Sequence, residues 1–219
     1  MTTQEFSGFA METIDFMKEL KVNNNREWFN DNKKVYERDY KAPALAFADM
    51  MASELHSLTG SIHTPKLFRI HRDVRFSKDK TPYNTHLHLS FTPEHGAESP
   101  PCWFFGLDTT SLSLGVGIFA FQPTELDAFR KRVASENGAD IAETLATLTK
   151  AGMRISEPAL KRVPSGYPKD HPNEKLLRHK GLAAWSDLGD ETKALDSNLF
   201  ETCKREFKSL KPVFDLLRA

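Results

Sequence analysis

Two alternating segments separated by a polar stretch constrain the fold more than any other feature of the sequence. Residues 68–76 and 84–91 alternate polar side chains with aromatic, aliphatic or β-branched ones, and residues 77–83 between them are mostly polar and include Pro82. Alternation with a period of two is typical of half-buried strands, and a short polar stretch with proline is typical of a connecting loop. The pattern therefore predicts an antiparallel hairpin over residues 68–91.

The predicted hairpin gathers charged side chains and imidazoles on one face. Successive side chains of a strand point to opposite faces of the sheet. This face receives Arg69, His71, Asp73 and Arg75 from the first strand and Asn84, His86, His88 and Ser90 from the second. Lys78 and Lys80 lie at its rim. A shift of one residue in the register would move all of the strand-borne side chains to the other face.

Arg72 projects from the opposite face of the first strand, among Ile70, Val74 and Phe76. A guanidinium on an apolar face is destabilising unless it is paired or reaches an edge. We therefore predict that the Arg72 side chain is more than half buried and that it is bonded to a carboxylate or to a bound anion.

Helical periodicity dominates the sequence on both sides of the hairpin. Apolar residues recur at helical spacing in residues 8–21, in two more segments before residue 60, in two segments between 123 and 152, and over 195–217. Pro212 predicts a kink or a break in the last of these helices. Two alternating segments, 102–107 and 112–121, follow the hairpin as strands. The chain is predicted to be a single α+β domain over residues 1–219, an antiparallel β-meander of about four or more strands flanked by N-terminal and C-terminal helices.

The predicted strand over 112–121 has one face made only of small residues. Leu112, Leu114, Val116 and Ile118 share one face, and Ser111, Ser113, Gly115 and Gly117 share the other. Glycine weakens a strand unless another group must approach closely. A packed helix is the favoured explanation for this face, and a bound ligand is the alternative.

Charge and composition disfavour several classes of protein. The 30 Lys and Arg residues balance 30 Asp and Glu residues, whereas a protein that coats double-stranded nucleic acid usually has a strong basic excess. The N-terminal residues lack a basic region followed by an apolar run and a small-residue cleavage site, so we expect no secretory signal. No apolar run approaches the ~20 residues that span a bilayer. Cys102 and Cys203 lack metal-ligand or redox spacing, which fits a reducing cytoplasm and leaves a disulfide between them open. We expect a cytoplasmic protein that does not contact the membrane.

The common catalytic motifs are absent from the sequence. It has no phosphate-binding loop, no dinucleotide-binding glycine fingerprint, no Gly-x-Ser-x-Gly, no His-Glu-x-x-His and no Cys-x-x-Cys. The sequence therefore identifies no cofactor, and it leaves open whether the chain is an enzyme.

Three stretches of the chain resemble one family. The first is the run Arg69-x-x-Arg72-Asp73-x-Arg75-Phe76, followed by Asp79-Lys80 and Tyr83. It is similar to the motif of a mainly bacterial family, domain of unknown function 2461, and residues 23–29 and 161–180 resemble other parts of the same family. The resemblance spans most of the chain. It implies a whole-chain domain and a cytoplasmic setting, and it implies no activity.

The leading functional hypothesis is that the hairpin binds a small anion. Guanidinium and ammonium groups bind phosphate and carboxylate through charge-assisted hydrogen bonds, and the candidate ligand-binding residues are Arg69, Arg72, Arg75, Lys78 and Lys80. A histidine beside such a ligand titrates near neutral pH and is suited to acid–base catalysis. The candidate catalytic residues are His71, Asp73, Tyr83 and His86.

Three other interpretations of the same residues remain open. The arginines would form a structural salt-bridge network with Asp73, Asp79 and more distant carboxylates. A metal ion would bind His71, Asp73, His86 and His88, a mixture that suits zinc, iron or manganese, although the flanking arginines would repel a cation. A binding module would recognise a protein or single-stranded nucleic acid through this face and the pair Trp28–Phe29. For Trp28 and Phe29 themselves, a role as core anchors is the favoured interpretation.

Overall fold

A six-stranded antiparallel sheet lies at the centre of the structure, which is a computed structural model that describes residues 6–94 and 99–218. The strands are β1 (His63–Leu67), β2 (Leu87–Pro93), β3 (Cys102–Leu107), β4 (Leu112–Ile118), β5 (Arg154–Ile155) and β6 (Leu182–Gly189). Their order across the sheet is β1-β2-β3-β4-β6-β5. The first four strands form a meander, and β6 returns to pair with β4 after a helical excursion.

Helices precede, interrupt and follow the strands. The N-terminal group comprises α1 (Met11–Val22), α2 (Arg26–Asp31), α3 (Lys33–Val35), a π-helical turn (Tyr36–Lys41) and α4 (Ala42–Thr59). The later elements are α5 (Pro123–Ala134), α6 (Asn137–Lys150), α7 (Glu174–Leu177), a 3₁₀ helix (Glu191–Leu195) and α8 (Leu199–Arg218). The predicted α+β class, with an antiparallel meander flanked by N-terminal and C-terminal helices, is confirmed.

One face of the sheet packs against helices and forms the main core. On β3, Trp103, Phe105 and Leu107 are buried while the alternate residues are partly exposed, as a period of two requires. Helix α8 packs over β4 and β6, and α4 packs over β1 and β2. The second face of the sheet is therefore the side on which β3 presents Phe104 and Gly106.

Helix α8 passes through Pro212 without a break. Proline removes one backbone donor inside a helix and disfavours it. Leu210, Val213 and Phe214 beside it are fully buried, so the apolar face of α8 holds the helix across this position. Of the two predicted alternatives, the break is wrong because tertiary packing outweighs the local cost of the proline, and the kink stays a prediction.

The predicted hairpin is only partly right. β2 begins at Leu87, and Leu87 and Leu89 are buried as expected, but its antiparallel partner is residues 63–67 and not 68–76. Residues 68–86 form a long connection that keeps only traces of the predicted pairing, an isolated bridge between His71 and Tyr83 and a hydrogen bond from the N–H of Phe68 to the carbonyl of His88. We call residues 68–86 the basic loop, because they contain five Lys and Arg residues and two Asp residues.

Two contacts draw the basic loop away from the sheet and onto α2. The ring of Tyr83 stacks on that of Phe29 with centroids 4.2 Å apart. The side chain of Asn24 donates to the carbonyl of Tyr83 at 2.9 Å and accepts from its N–H at 3.0 Å. Ile70 and Tyr83 are buried, although neither residue lies on a strand of the sheet.

Candidate functional site

The second face of the sheet carries two rows of side chains that the strand register aligns. The first row crosses β2, β3, β4 and β6 through His88, Gly106, Ser113 and Asp187. The next row crosses the whole sheet through Lys66, Ser90, Phe104, Gly115, Trp185 and Arg154. Polar groups therefore line one row, and aromatic and cationic groups lie beside them in the next.

An open groove of about 430 Å³ lies on this face. Its principal lining residues are Phe68, His88, Phe104, Ser113, Phe119, Arg154 and Trp185. We call this feature the sheet groove. Its volume lies within the range of ~300–1,000 Å³ that is typical of small-molecule sites.

Three aromatic rings cluster at the sheet groove. The ring centroids of Phe104 and Phe119 are 4.6 Å apart, and the Trp185 ring lies 5.8 Å from Phe104 and 5.9 Å from Phe119. Phe119 is 65% exposed. Phe104 and Trp185 are partly exposed, so the cluster offers flat apolar surface to a ligand, unlike single apolar residues scattered over a protein surface.

Two glycines create the space in which these side chains lie. A Cβ at Gly106 would be 3.4 Å from both His88 Nε2 and Ser113 Oγ, so the missing side chain leaves a notch between an imidazole and a hydroxyl. A Cβ at Gly115 would be 2.3 Å from the Trp185 ring. The explanation of the small-residue face by a packed helix is therefore wrong, because the group that approaches Gly115 is a tryptophan of the neighbouring strand.

Two neutral imidazoles lie at the loop end of the sheet groove. The rings of His86 and His88 are stacked with centroids 3.8 Å apart. Burial, and the proximity of His86, lower the pKa of His88 to about 4, against an opposing effect of Asp108. Burial likewise lowers the pKa of His86, again opposed by Asp108. Both rings are therefore uncharged at neutral pH and act as hydrogen-bonding groups.

Arg154 brings a cation to the opposite end of the sheet groove. Its guanidinium donates to both carboxylate oxygens of Asp187, at 3.1 and 3.2 Å, and its Cζ lies 5.8 Å from the centroid of the Trp185 ring. The side chains of Arg154 and Asp187 are 57% and 56% exposed. An exposed ion pair contributes little to stability, so Arg154 remains accessible to an anionic ligand.

The structure confirms the prediction for Arg72. Its side chain is only 24% exposed, and Nη1 lies 2.6 Å from Asp79 Oδ2. The same nitrogen donates to the carbonyl and to the hydroxyl of Thr81. The N–H of Thr81, together with the Arg72 guanidinium, lowers the pKa of Asp79 to about 2. The partner is thus a carboxylate of the same loop.

The other cations of the basic loop are exposed. Arg75 is paired with Asp73 at 2.7 Å, and Lys80 donates to the carbonyl of Val74 at 2.9 Å. Arg69 and Lys78 form no ion pair within residues 6–94 and 99–218. Two of the three arginines are therefore matched by carboxylates of the loop, which agrees with a structural role for those two. Ligand binding by the five cations stays a prediction.

The candidate catalytic residues are divided among three places. His71 and Tyr83 pack with Phe29 on α2, and the His71 ring meets both aromatic rings edge-on at 5.7 and 5.2 Å. His86 stacks on His88 at the sheet groove, whereas Asp73 is bonded to Arg75. Over the described ranges, no three His, Cys, Asp or Glu side chains are grouped as metal ligands. A metal site at His71, Asp73, His86 and His88 therefore has no support from the geometry.

Trp28 and Phe29 pack in the core near α1. Phe29 is buried, and Trp28 is partly buried with its ring 5.8 Å from that of Phe16, so both are core anchors, as favoured from the sequence.

Cys102 and Cys203 are free thiols. None of the described helices is both long enough and apolar enough to span a bilayer.

One sequence feature indicates the sheet groove, namely the small-residue face that contains Ser113 and Gly115. The aromatic and cationic partners were missed. Trp185 and Arg154 lie on β6 and β5, which were not predicted, and Phe119 follows the end of β4. Only the pairing of β4 with β6 brings Trp185 over Gly115.

We expect Arg72→Ala to lower the free energy of unfolding by about 1–2 kcal/mol, because it removes charge-assisted hydrogen bonds from a largely buried guanidinium. Urea denaturation measures the change. Arg75→Ala is the matched control, since its guanidinium is 76% exposed in a similar pair with aspartate, and it should cost less than ~0.5 kcal/mol. Equal losses in the two variants would contradict a special role for Arg72.

Comparison with protein-family models matches residues 12–216 to a family described as a conserved hypothetical protein (DUF2461). The matched range includes the basic loop and every strand of the sheet. No curated protein matches the chain.

Proposed function

The chain belongs to the DUF2461 family of conserved hypothetical proteins, and we propose that it binds a small molecule that combines a flat ring with a phosphate or carboxylate group. The observation that carries the proposal is the cluster of Phe104, Phe119 and Trp185, with Phe119 exposed and the other two rings partly exposed, beside Arg154 in the sheet groove. Flat apolar surface next to a guanidinium matches a ligand that is aromatic at one end and anionic at the other.

The ring of the ligand would contact Phe119 and Trp185. Their rings are 5.9 Å apart and nearly parallel, at an interplanar angle of 29°. Aromatic rings prefer offset-stacked or edge-on contacts, which contribute about 0.5–1.5 kcal/mol beyond the apolar area that they bury. The partly exposed Trp185 is held in place by its contact with Gly115, so this surface is preorganised.

The anionic group of the ligand would contact Arg154, while the neutral pair His88 and Ser113 would form hydrogen bonds across the Gly106 notch. A guanidinium binds phosphate or carboxylate in a bidentate manner. The basic loop starts at Phe68, which lines the sheet groove, and its excess of cations raises the local concentration of anions. The proposal places the ligand on the sheet, with the loop as an electrostatic border.

The proposal is one of binding and not of catalysis. A general base is most effective when its pKa lies near the working pH, and His88, with a pKa of about 4, is a weak base at neutral pH. The cytoplasm remains the proposed location, and the two free thiols support it.

Single-stranded nucleic acid is the second candidate ligand. Aromatic side chains interleaved with Arg or Lys on an antiparallel sheet commonly stack on unpaired bases, and the row of Lys66, Phe104, Trp185 and Arg154 has this composition. A strand that contacts many phosphates would bind with a steep dependence on salt, whereas one small anion would show a weak dependence.

Binding should appear as a thermal shift with ring-bearing anions such as nucleoside monophosphates and aromatic carboxylates. At a hundred times Kd, such a ligand stabilises the native state by about 2.7 kcal/mol. Phe119→Ala and Arg154→Gln should each weaken binding by roughly tenfold or more, because a charge-assisted hydrogen bond or an aromatic contact is lost. Isothermal titration calorimetry measures the change.

Two matched variants serve as controls for this experiment. Phe76→Ala also removes an exposed phenylalanine, and Arg75→Gln also removes an arginine from an exposed pair with aspartate. Phe76→Ala should leave the affinity unchanged, and Arg75→Gln, which removes only one cation of the electrostatic border, should lower it far less than Arg154→Gln. Loss of binding in Arg75→Gln alone would move the site to the basic loop, and equal binding of anions that lack a ring would contradict the role of the aromatic cluster. No shift with any ring-bearing anion would contradict the proposal as a whole.

A further inference from the structure

The tip of the basic loop presents an almost fully exposed phenylalanine. Phe76 is 96% exposed, and the guanidinium of Arg75 lies 5.9 Å from the centroid of its ring. Lys78 and Lys80 follow within four residues and are exposed. An exposed aromatic side chain flanked by cations has the composition of an anchor for a protein interface, where aromatic residues and arginine are enriched.

The basic loop is held in one conformation by its own hydrogen bonds. Arg72 bonds to Asp79 and Thr81, and the ammonium group of Lys80 donates to the carbonyl of Val74. The N–H of Ser77 donates to the same carbonyl at 3.3 Å. A preorganised loop loses little conformational entropy on binding, which favours its use as a docking element.

A groove of complementary charge lies between α1 and the α2–α3 segment. Its volume is about 260 Å³. Phe16, Trp28 and Val35 supply its apolar lining, and Glu12, Asp15, Glu19 and Asp39 supply carboxylates, against one cation, Arg38, which is paired with Asp39. Across the described chain, neither Glu12 nor Asp15 forms an ion pair. We call this feature the acidic groove.

We propose that the basic loop of one copy of the chain docks in the acidic groove of a second copy, with Phe76 on the apolar lining and Lys78 beside the carboxylates. The chain has zero net charge but separates its charges into a basic loop and an acidic groove, and this complementarity favours a second copy over an unrelated partner. The proposal is independent of the sheet groove and its ligand.

The location of the two surfaces supports a closed dimer. Trp28 of α2 lines the acidic groove, and the adjacent Phe29 stacks on Tyr83 at the base of the basic loop. Both surfaces are thus attached to the same short helix. In a two-fold dimer each loop would enter the groove of the other copy, so that one pair of surfaces forms two identical contacts.

Sedimentation equilibrium at low salt tests the association. The chain should be dimeric, and Phe76→Ala should raise the dimer Kd roughly 30-fold, which is the effect of a moderate interface hot spot. Raising the salt concentration should also weaken the dimer, because the contact is between exposed charges. Phe76 is so exposed that its replacement does not disturb the fold.

Charge reversal tests the contact directly. Lys78→Glu and Asp15→Lys should each raise the dimer Kd by roughly tenfold or more, because like charges then meet. An equimolar mixture of the two variants should recover the affinity, since each heterodimer pairs the altered loop with the altered groove and the native loop with the native groove. Lys150→Glu, an exposed lysine at the end of α6, is the control for net charge and should leave Kd unchanged.

Several outcomes would overturn the proposal. The first is a native chain that remains monomeric at 100 times the concentration used for the variants. The second is a set of charge-reversed variants that dimerise as tightly as the native chain. A third is a mixture of Lys78→Glu and Asp15→Lys that associates no better than either alone. A monomeric chain that binds phosphatidylserine vesicles or a single-stranded oligonucleotide through Phe76 would assign the basic loop to that ligand and exclude self-association.

Discussion

Phe47→Ala is expected to lower the free energy of unfolding by about 3–5 kcal/mol, the usual cost of removing a buried phenylalanine. Phe47 lies on α4, is fully buried, and joins the helices to the sheet. Its ring lies 4.7 Å from that of Phe105 on β3, 5.6 Å from Phe9 and 6.1 Å from Phe200 on α8. Removal of the ring leaves a cavity at the point where α4, α8 and β3 meet.

Urea denaturation monitored by circular dichroism measures this loss. Leu45→Ala on the same helix is the control, because Leu45 is 43% exposed and its truncation should cost much less. A loss below ~1 kcal/mol in Phe47→Ala would show that the α4–sheet contact is not the centre of the core.

Stability is expected to fall as the pH is lowered from about 6.5 to about 4. Burial lowers the pKa of His88 in the native state to about 4, and it lowers the pKa values of His63, His86 and His179 as well. An unfolded histidine titrates near 6.5. Between these values the unfolded chain binds more protons than the native chain, so protons favour unfolding. The contribution of neutral histidine is complete above about pH 6.5 and is lost as the pH approaches 4.

His88→Gln should reduce the loss of stability between pH 7 and pH 4.5 by about 2 kcal/mol, because glutamine does not titrate. Urea denaturation at the two pH values measures the difference. His56→Gln is the control, since His56 is exposed near the end of α4. The Asp79 carboxyl, with a pKa lowered to about 2, loses its contribution only as the pH falls from about 3.8 toward 2, in a separate window. The same pH dependence in the native chain and in His88→Gln would contradict the assignment.

Elements with strong periodicity could be predicted from the sequence. The alternation of Trp103, Phe105 and Leu107 placed β3 correctly, and the apolar stripe of Leu199, Cys203, Phe207 and Leu210 placed α8. Pro65 in β1 disfavours the prediction of a strand. The sheet tolerates this proline because β1 is an edge strand. β6 contains Ala183 and Ala184. Because alanine has only a weak preference for strands, the sequence does not indicate that this segment is a strand.

Residues 68–76 show how local alternation can mislead. Their pattern is that of a strand, yet Ile70 is buried in the core while Phe76 projects into solvent. The stacking of Tyr83 on Phe29 and the bonds of Asn24 determine where this segment lies. These contacts join residues more than fifty positions apart, so no local pattern could indicate them.

By itself, the sequence determined the position of strongly periodic elements such as β3, β4 and α8, which face of β3 and α8 is buried, and that Arg72 needs an anionic partner. Each of these follows from the direction of side chains along a regular backbone and from the cost of burying a charge. The tertiary structure alone decided which strands are neighbours. Because β6 pairs with β4, Trp185 covers Gly115 and Arg154 borders the sheet groove. The candidate site is made by this long-range pairing, which depends on how the whole core packs and not on the residues of any one strand.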